Sequence, residues 1–384
     1  MRRKIVFIIG VVACLSGCTM IPKYTRPEPP IPAKWPSGPA YQETPTPGAP
    51  VAPDLHWREF FTDARLQKII EMALKNNRDL RVAALNVKRA RALYRVQRAE
   101  LFPIVEGRAS IRKERDRIPF TDDYLSLEHY RAELGISSWE IDFFGRIRSL
   151  EKRALEEFFA TEHARRSAQI LLISEVANAY LTLAADRENL KLAQSTLATQ
   201  QAAYNLIRRR FEVGLAPELD LRQAQTRVEA ARVDVAKFTA QVAQDENALN
   251  LLTGSPVPAD LLPQELSAVK PLPDVSPGIS SDVLLRRPDI LEAESRLKAA
   301  NANIGAARAA FFPRITLTSA IGTASGELSG LFKSGSDVWN YAPQIVLPIF
   351  DVRTWSGLTV TKVEREIALA QYERAIQRAF REVA

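Results

Sequence analysis

Side chains able to do covalent, acid–base or metal chemistry are few and scattered: two cysteines and three histidines in 384 residues. A general base or a metal site needs such groups to converge with carboxylates or a nucleophile at matching spacing. His56 stands at the end of a Pro-rich stretch, His129 in a polar loop between strands and His163 in a long helical run, so they do not converge. Glu156 and Glu157 are ordinary helix surface, and no nucleophile elbow, phosphate loop or metal-ligand spacing occurs. The pattern argues against an enzyme, a metal and a cofactor.

The chemistry that the sequence does support is at Cys18. Arg2-Arg3-Lys4, an apolar run from Ile5 to Leu15 and then Ser16-Gly17-Cys18 form the positive region, apolar region and cleavage site of a secretory signal. The apolar run is about half as long as a membrane-spanning helix. Leu15-Ser16-Gly17-Cys18 has the form of a bacterial lipobox, so Cys18 is expected to become residue one, carrying N-acyl and S-diacylglycerol lipid. Thr19, rather than Asp, follows it, which implies sorting to the outer membrane. Cys14 leaves with the signal, so the mature chain has no free thiol and no disulfide. The net charge of +7 falls to +4 once Arg2, Arg3 and Lys4 are removed. Arg and Lys alternate with Glu and Asp along helices, which, with an envelope address, argues against nucleic acid.

The elements behind these residues are mostly helical. Pro22 to Pro53 is dense in proline and reads as an extended spacer. Arg146 to Val213 contains no Gly or Pro, enough for one helix of roughly 100 Å. After Gly214-Leu215-Ala216-Pro217 a second uninterrupted stretch runs from Glu218 to Thr253, so the pair must be an antiparallel hairpin. Val176, Leu183, Leu190, Leu197, Tyr204 and Phe211 recur every seventh residue, as do Leu221, Val228, Val235, Val242 and Leu249 on the return. Both are coiled-coil seams.

An internal repeat with an offset of about 210 residues organises the whole. Asp79 to Pro103 aligns with Asp289 to Pro313, and the seams Leu80, Val87, Tyr94, Leu101 and Ile290, Leu297, Ile304, Phe311 superpose. After each Phe-Pro the period becomes two. Val105, Gly107, Ala109 and Ile111 alternate with Glu106, Arg108, Ser110 and Arg112, and Ile315, Leu317, Ser319 and Ile321 keep the same parity. A polar loop from Lys113 to Glu128 is expected before a return through Tyr130, Ala132, Leu134 and Ile136; the second copy returns through Tyr341 to Phe350. Four strands of near-transmembrane length cannot close, and open edges are not tolerated in lipid, so chains must pool strands, two giving eight or three giving twelve.

The expected domains are a signal peptide (1–17), a lipidated tether (18–62), a first repeat (63–253, with a strand hairpin 104–143 and a helical hairpin 144–253), a linker (254–281) and an incomplete second repeat (282–384, with a strand hairpin 314–350).

Several segments carry a family resemblance. Cys18-Thr19-Met20-Ile21-Pro22 with Tyr24-Thr25-Arg26-Pro27, Trp57-Arg58-Glu59-Phe60-Phe61, Trp139-Glu140-Ile141-Asp142-Phe143-Phe144-Gly145-Arg146, Leu285-Arg286-Arg287-Pro288-Asp289-Ile290 with Glu292-Ala293-Glu294, and Ala309-Ala310-Phe311-Phe312-Pro313 resemble the TolC-like outer-membrane factors, in their lipidated efflux branch (OprM/NodT type). The resemblance implies a mainly α fold with a β-barrel part: a homotrimer with a twelve-stranded outer-membrane β-barrel on a periplasmic α-barrel of long helical hairpins. Its function would be that of a passive exit duct in a tripartite efflux system. It also implies docking of a periplasmic adaptor (membrane fusion protein) at the hairpin tip, Val213-Gly214-Leu215, and an inner-membrane pump of the RND type. Leu219, Asp220 and Gln223 are the counterparts of the zone that closes the periplasmic aperture. The matching second-repeat positions fall beyond Ala384, so residues 1–384 alone are expected not to form a working duct. Two rival readings are a periplasmic adaptor, which lacks the duplicated strand hairpin, and a structural envelope lipoprotein without conductance.

Overall fold

A computed structural model describes residues 19–39, 55–117, 124–273 and 281–384. The expected signal peptide and Cys18 lie outside the described residues. The elements are α1 (Trp57–Phe60), α2 (Ala64–Asn76), α3 (Arg78–Ala99), β1 (Val105–Arg117), β2 (Tyr124–Glu140), α4 (Arg146–Glu212), α5 (Glu218–Thr253), α6 (Pro288–Ala309), β3 (Arg314–Ser325), β4 (Asp337–Val346) and α7 (Val352–Val383). They group into two compact units, each drawn from both sequence repeats. One takes residues up to 30 with 88–161 and 290–378; the other takes 31–87, 162–289 and 379–384.

The first unit contains one antiparallel sheet in the order β1-β2-β3-β4. Val105 faces Ile136 at one end of the β1–β2 ladder and Arg117 faces Tyr124 at the other. The pairing therefore overturns the expected polar loop over Lys113 to Glu128. A run in which every residue from Arg112 to Arg117 is charged has no interior to avoid on either face of a two-sided sheet, and the ladder continues through it. The second hairpin is also shorter than its expected span of 314–350: β4 ends at Val346, just before Leu347-Pro348, where a proline has no N–H to continue the ladder. Between β2 and β3 the register slips between Ile136 and Trp139. Ser138 takes a left-handed φ of 51° there, and its N–H is donated to the Thr318 hydroxyl at 3.2 Å, the mark of a β-bulge. The helices of this unit bury Ile147, Ile290, Leu297, Ile304, Tyr372 and Ile376.

The second unit packs α2 against the middle of the α4–α5 hairpin. Leu66, Ile69, Ile70 and Ala73 meet Ile173, Val176, Tyr180, Leu183 and Leu249 in a single apolar cluster. Asp63 caps α2 by accepting from the Arg65 N–H at 2.8 Å, and it receives the Tyr180 hydroxyl at 3.4 Å; burial and the Asp63 charge push that hydroxyl up to about 12. The heptad seam is buried at Val176 and Leu183, half-buried from Leu190 to Tyr204, and exposed at Phe211. The pairing within one chain thus thins out towards the turn.

Two capping devices fix the second unit. The Asn77 side chain accepts the Leu80 N–H and donates to the Leu252 carbonyl at 2.9 Å, so it serves the start of α3 and the end of α5 together. Gly254 ends α5 with a left-handed φ of 66°, and a Cβ there would lie 2.6 Å from the Asn76 carbonyl oxygen. Gly254→Ala is expected to destabilise the protein by about 1–3 kcal/mol, from left-handed backbone strain and the collision. Gly357→Ala, in open space on α7, should be neutral or stabilising by up to about 1 kcal/mol through helix propensity. Denaturation followed by far-ultraviolet circular dichroism measures both, and equal midpoints would refute the capping role.

Candidate functional site

The strand register sorts side chains onto two chemically distinct faces. Cross-strand partners share a face, so Val105, Ile136, Ser319 and Tyr341 form one row and Gly107, Leu134, Ile321 and Trp339 the next. Ala109, Ile111, Leu317 and Ile345 extend the same face. Its large side chains are mostly bare: Trp339 is 79 % exposed and Ile321 69 %. The opposite face carries Glu106, Arg108, Arg112, Arg131, Glu133 and Asn340. Arg108 pairs with Glu106 at 2.6 Å, Arg131 with Glu133 at 3.2 Å, and Arg112 with Glu114. One apolar face and one ion-paired polar face, on strands of 10 to 17 residues, suit a wall between lipid and a water-filled lumen.

Below the sheet, Glu140 ties three elements together. Arg146, the first residue of α4, grips its carboxylate through two bonds of 2.8 Å, and Arg314, the first residue of β3, reaches it at 2.6 Å. Arg148 holds the Asp142 carboxylate and carbonyl, and Phe144 stacks on Phe312 at 4.8 Å. The motif from Trp139 to Arg146 is therefore the joint at which strand becomes helix.

A second cluster pins the N-terminal segment to α6. The Arg26 guanidinium clamps Glu294 at 2.6 and 3.0 Å, Tyr24 donates to it at 3.2 Å, and Lys298 approaches at 3.1 Å. Asn301 donates to the Pro22 carbonyl and Arg308 to the Met20 carbonyl. A Cβ on Gly305 would lie 2.6 Å from Ile21. Residues 20–26 thus run antiparallel to α6, reaching its sheet-proximal end at Met20. The expected extended spacer from Pro22 is extended, and over its first stretch it is also docked, because Tyr24 and Arg26 find a buried carboxylate.

At the far end of the hairpin, Gly214 turns the chain with a φ of 76°; its N–H bonds the Phe211 carbonyl and the Leu215 N–H bonds that of Arg210. No atom lies within 4 Å of a Cβ built on Gly214. Val213 and Leu215 are about two-thirds exposed, as is Leu219, and Asp220 and Gln223 are also exposed. Two nearby ion pairs run along their own helices, Arg208 with Glu212 and Arg222 with Glu218. The exposed tip thus joins the apolar side chains of Val213, Leu215 and Leu219 to the guanidinium groups of Arg209 and Arg210.

The chain, with one long helical hairpin and a two-faced sheet, matches the family model for outer membrane efflux proteins over residues 69–255 and 279–384. The chain is 48% identical over 391 residues to the probable efflux pump outer membrane protein TtgC of Pseudomonas putida, covering 100% of this chain and 80% of that protein. It is 41% identical to outer membrane protein OprJ of Pseudomonas aeruginosa, over 97% and 78%. Among solved structures, the open state of the Neisseria gonorrhoeae MtrE outer membrane channel superposes with a TM-score of 0.83 at 38% identity, over 95% of this chain and 80% of that one. The chain belongs to the outer membrane efflux protein family, and it is an outer-membrane channel component of an efflux system.

The structure brings the tip residues Val213, Gly214 and Leu215 together and sets Leu219, Asp220 and Gln223 just beyond them on α5; Cys18 falls outside the described residues. Tyr24, Arg26, Glu140 and Glu294 stand within the family motifs, but no sequence pattern assigns them a task. An arginine and a glutamate 268 positions apart leave no local pattern by which to pair them.

Burial alone would push the Glu294 carboxyl up, but the hydrogen bonds from Arg26 and Lys298 outweigh it and hold the carboxyl below its usual range. A depressed folded value means that the stabilisation is complete above the unfolded carboxyl pKa of about 4.3 and is lost as pH falls through the folded one. Docking of residues 20–26 should therefore persist at neutral and mildly acid pH and loosen only below about pH 4. Glu294→Gln should loosen it at every pH. Amide exchange of this segment, corrected for intrinsic rates, checks this, and loosening already at pH 6 would refute it.

Proposed function

We propose that the chain works as a homotrimer, three four-stranded sheets closing one twelve-stranded barrel whose lumen is the passive exit for small molecules. The observation that carries this is the sheet itself: its edges β1 and β4 are unpaired, one face is apolar, and four strands are too few to close. The helices support the same reading, because α3 buries no side chain and leaves Val82, Leu85, Leu93 and Val96 exposed, as an inter-chain wall requires. Size analysis in detergent and planar-bilayer recording test it. In the full-length protein a stable trimer with stepwise conductance is expected; a monomer, or an assembly that never conducts, would favour a structural lipoprotein.

The lipid anchor belongs to this proposal. Met20 sits at the sheet-proximal end of α6 and Cys18 precedes it by two residues in the sequence, which supports N-acyl and S-diacylglycerol lipid at that residue. Mass spectrometry of the mature N-terminus should show a triacylated Cys18; an unmodified cysteine or a different start would overturn the assignment.

The tip at Val213, Gly214 and Leu215 would receive a periplasmic adaptor (membrane fusion protein), which links the duct to an inner-membrane pump of the RND type. Leu219, Asp220 and Gln223 would form part of the periplasmic aperture. An exposed apolar turn with no Cβ at its apex suits close approach of a partner helical hairpin. Gly214→Glu puts a charge and a strained φ at that apex, and should abolish adaptor crosslinking and restore drug susceptibility while leaving the amount of trimer in the outer membrane unchanged. Unaltered crosslinking and efflux would refute the docking role.

A further inference from the structure

The β1–β2 hairpin continues beyond its apolar belt. Ile111 is the last aliphatic residue of β1, and the next six, Arg112 to Arg117, are all charged yet remain in register with Tyr124 to His129. Side-chain alternation divides this run between the faces. Lys113, Arg115 and Arg117 continue the row of Val105, Ala109 and Ile111, whereas Arg112, Glu114 and Asp116 continue that of Glu106 and Arg108. The partner strand adds Glu128, Ser126 and Tyr124 to the first face and His129, Leu127 and Leu125 to the second. The face continuous with the apolar belt therefore holds three cations against one carboxylate, and the polar face one arginine and a histidine against two carboxylates. A run of four cations and two carboxylates places three of the cations on one face and both carboxylates on the other.

The cations are held in place. Lys113 bonds Glu128 at 2.8 Å and lies 6.0 Å from the Tyr130 ring centre. Arg115 lies 4.6 Å over the Tyr124 ring, a contact that uses the guanidinium charge and none of its N–H donors. Same-face neighbours on a strand are about 7 Å apart, so the three form a short comb just past the apolar belt. All four strand ends opposite the hairpin turns lead to helices, which assigns the comb to the extracellular rim of the barrel.

We propose that this comb, Lys113, Arg115 and Arg117 with Tyr124, is a binding surface for phosphorylated glycolipid headgroups in the outer leaflet of the outer membrane. The chemistry is complementary: outward-facing guanidinium and ammonium donors at headgroup height meet phosphate oxygens, and a tyrosine at the interface is amphipathic in the same sense. The inference rests on the apolar face being the lipid-facing one.

The test uses the full chain purified in detergent with diphosphorylated lipid A as probe, read by native mass spectrometry. The triple variant Lys113→Gln, Arg115→Gln, Arg117→Gln should lose roughly tenfold in retained lipid, each exposed charge contributing a modest share. Arg112→Gln, on the opposite face of the same strand, should retain it. Unchanged retention in the triple variant, an equal loss in Arg112→Gln, or phosphatidylglycerol retained as well as lipid A would each overturn the proposal. Unaltered oligomer migration on gels shows that the variants fold; Arg115→Gln alone, expected to lose about twofold, replaces any that does not. A separate arm labels Arg115→Cys in intact cells with a membrane-impermeant maleimide. Labelling places the rim outside the cell, so that a lipid failure then counts against the comb alone, whereas labelling only after permeabilisation would sink the orientation itself and the comb with it.

Discussion

A strand edge left open in hydrocarbon leaves a row of backbone donors and acceptors without partners, each costing several kcal/mol. The four-stranded sheet has two such edges, and the rest of the architecture is organised around closing them. Because closure needs other copies, the helices beneath are under no requirement to complete a core within one chain. The duplicated pair α3 and α6 shows the result. Their sequences align from Asp79 and Asp289 onward, yet α6 is buried on nearly every side, whereas α3 is half-buried along one face and has no fully buried residue. Sequence similarity between repeats specifies the same helix; what surrounds each helix differs, and the exposed one is left for a neighbour.

The joint between sheet and helices has to survive the change from period two to period 3.6 at a water–lipid boundary. Glu140 does this by receiving Arg146 and Arg314 together, one from the helix that follows β2 and one from the strand that follows α6. Its carboxylate is 9% exposed and its partners are more open, so part of each arginine's hydration is kept while the acceptor is protected. This lowers the desolvation cost that makes fully buried pairs poor stabilisers. The aromatic stack of Phe144 on Phe312 joins the same two segments without charge.

Periodicity made most of the elements legible in the sequence: the heptads of Val176 and Leu183, the reversal at Gly214 and the alternation from Val105 all correspond to structure. Lys113 to Arg117 read as loop because polarity was taken for irregularity, although a strand passing from lipid to water becomes charged on both faces while keeping its pairing. The docking of Pro22 to Arg26 is hidden within a proline-dense spacer because Glu294, the partner of Tyr24 and Arg26, is remote in sequence. Tertiary partners of that kind leave no trace in local pattern, and neither composition nor spacing could have supplied them.

The docked segment makes the duplication asymmetric in a useful way. Ala302, Gly305, Ala306 and Ala309 give α6 a flank of small side chains, and Ile21 lies close enough to Gly305 that a Cβ would collide. An extended chain can lie closer to a helix than a second helix can, so the N-terminal segment fills the flank that α3 leaves open in the first repeat. Its main-chain carbonyls accept hydrogen bonds from Asn301 and Arg308, and these bonds therefore fix the path of the segment more than its sequence. Tyr24 and Arg26, meeting a single buried carboxylate, and Ile21 against Gly305 fix its register. A segment held in this way is tied to the same helix that leads into β3, so residues 20–26 and the wall of the barrel share one support.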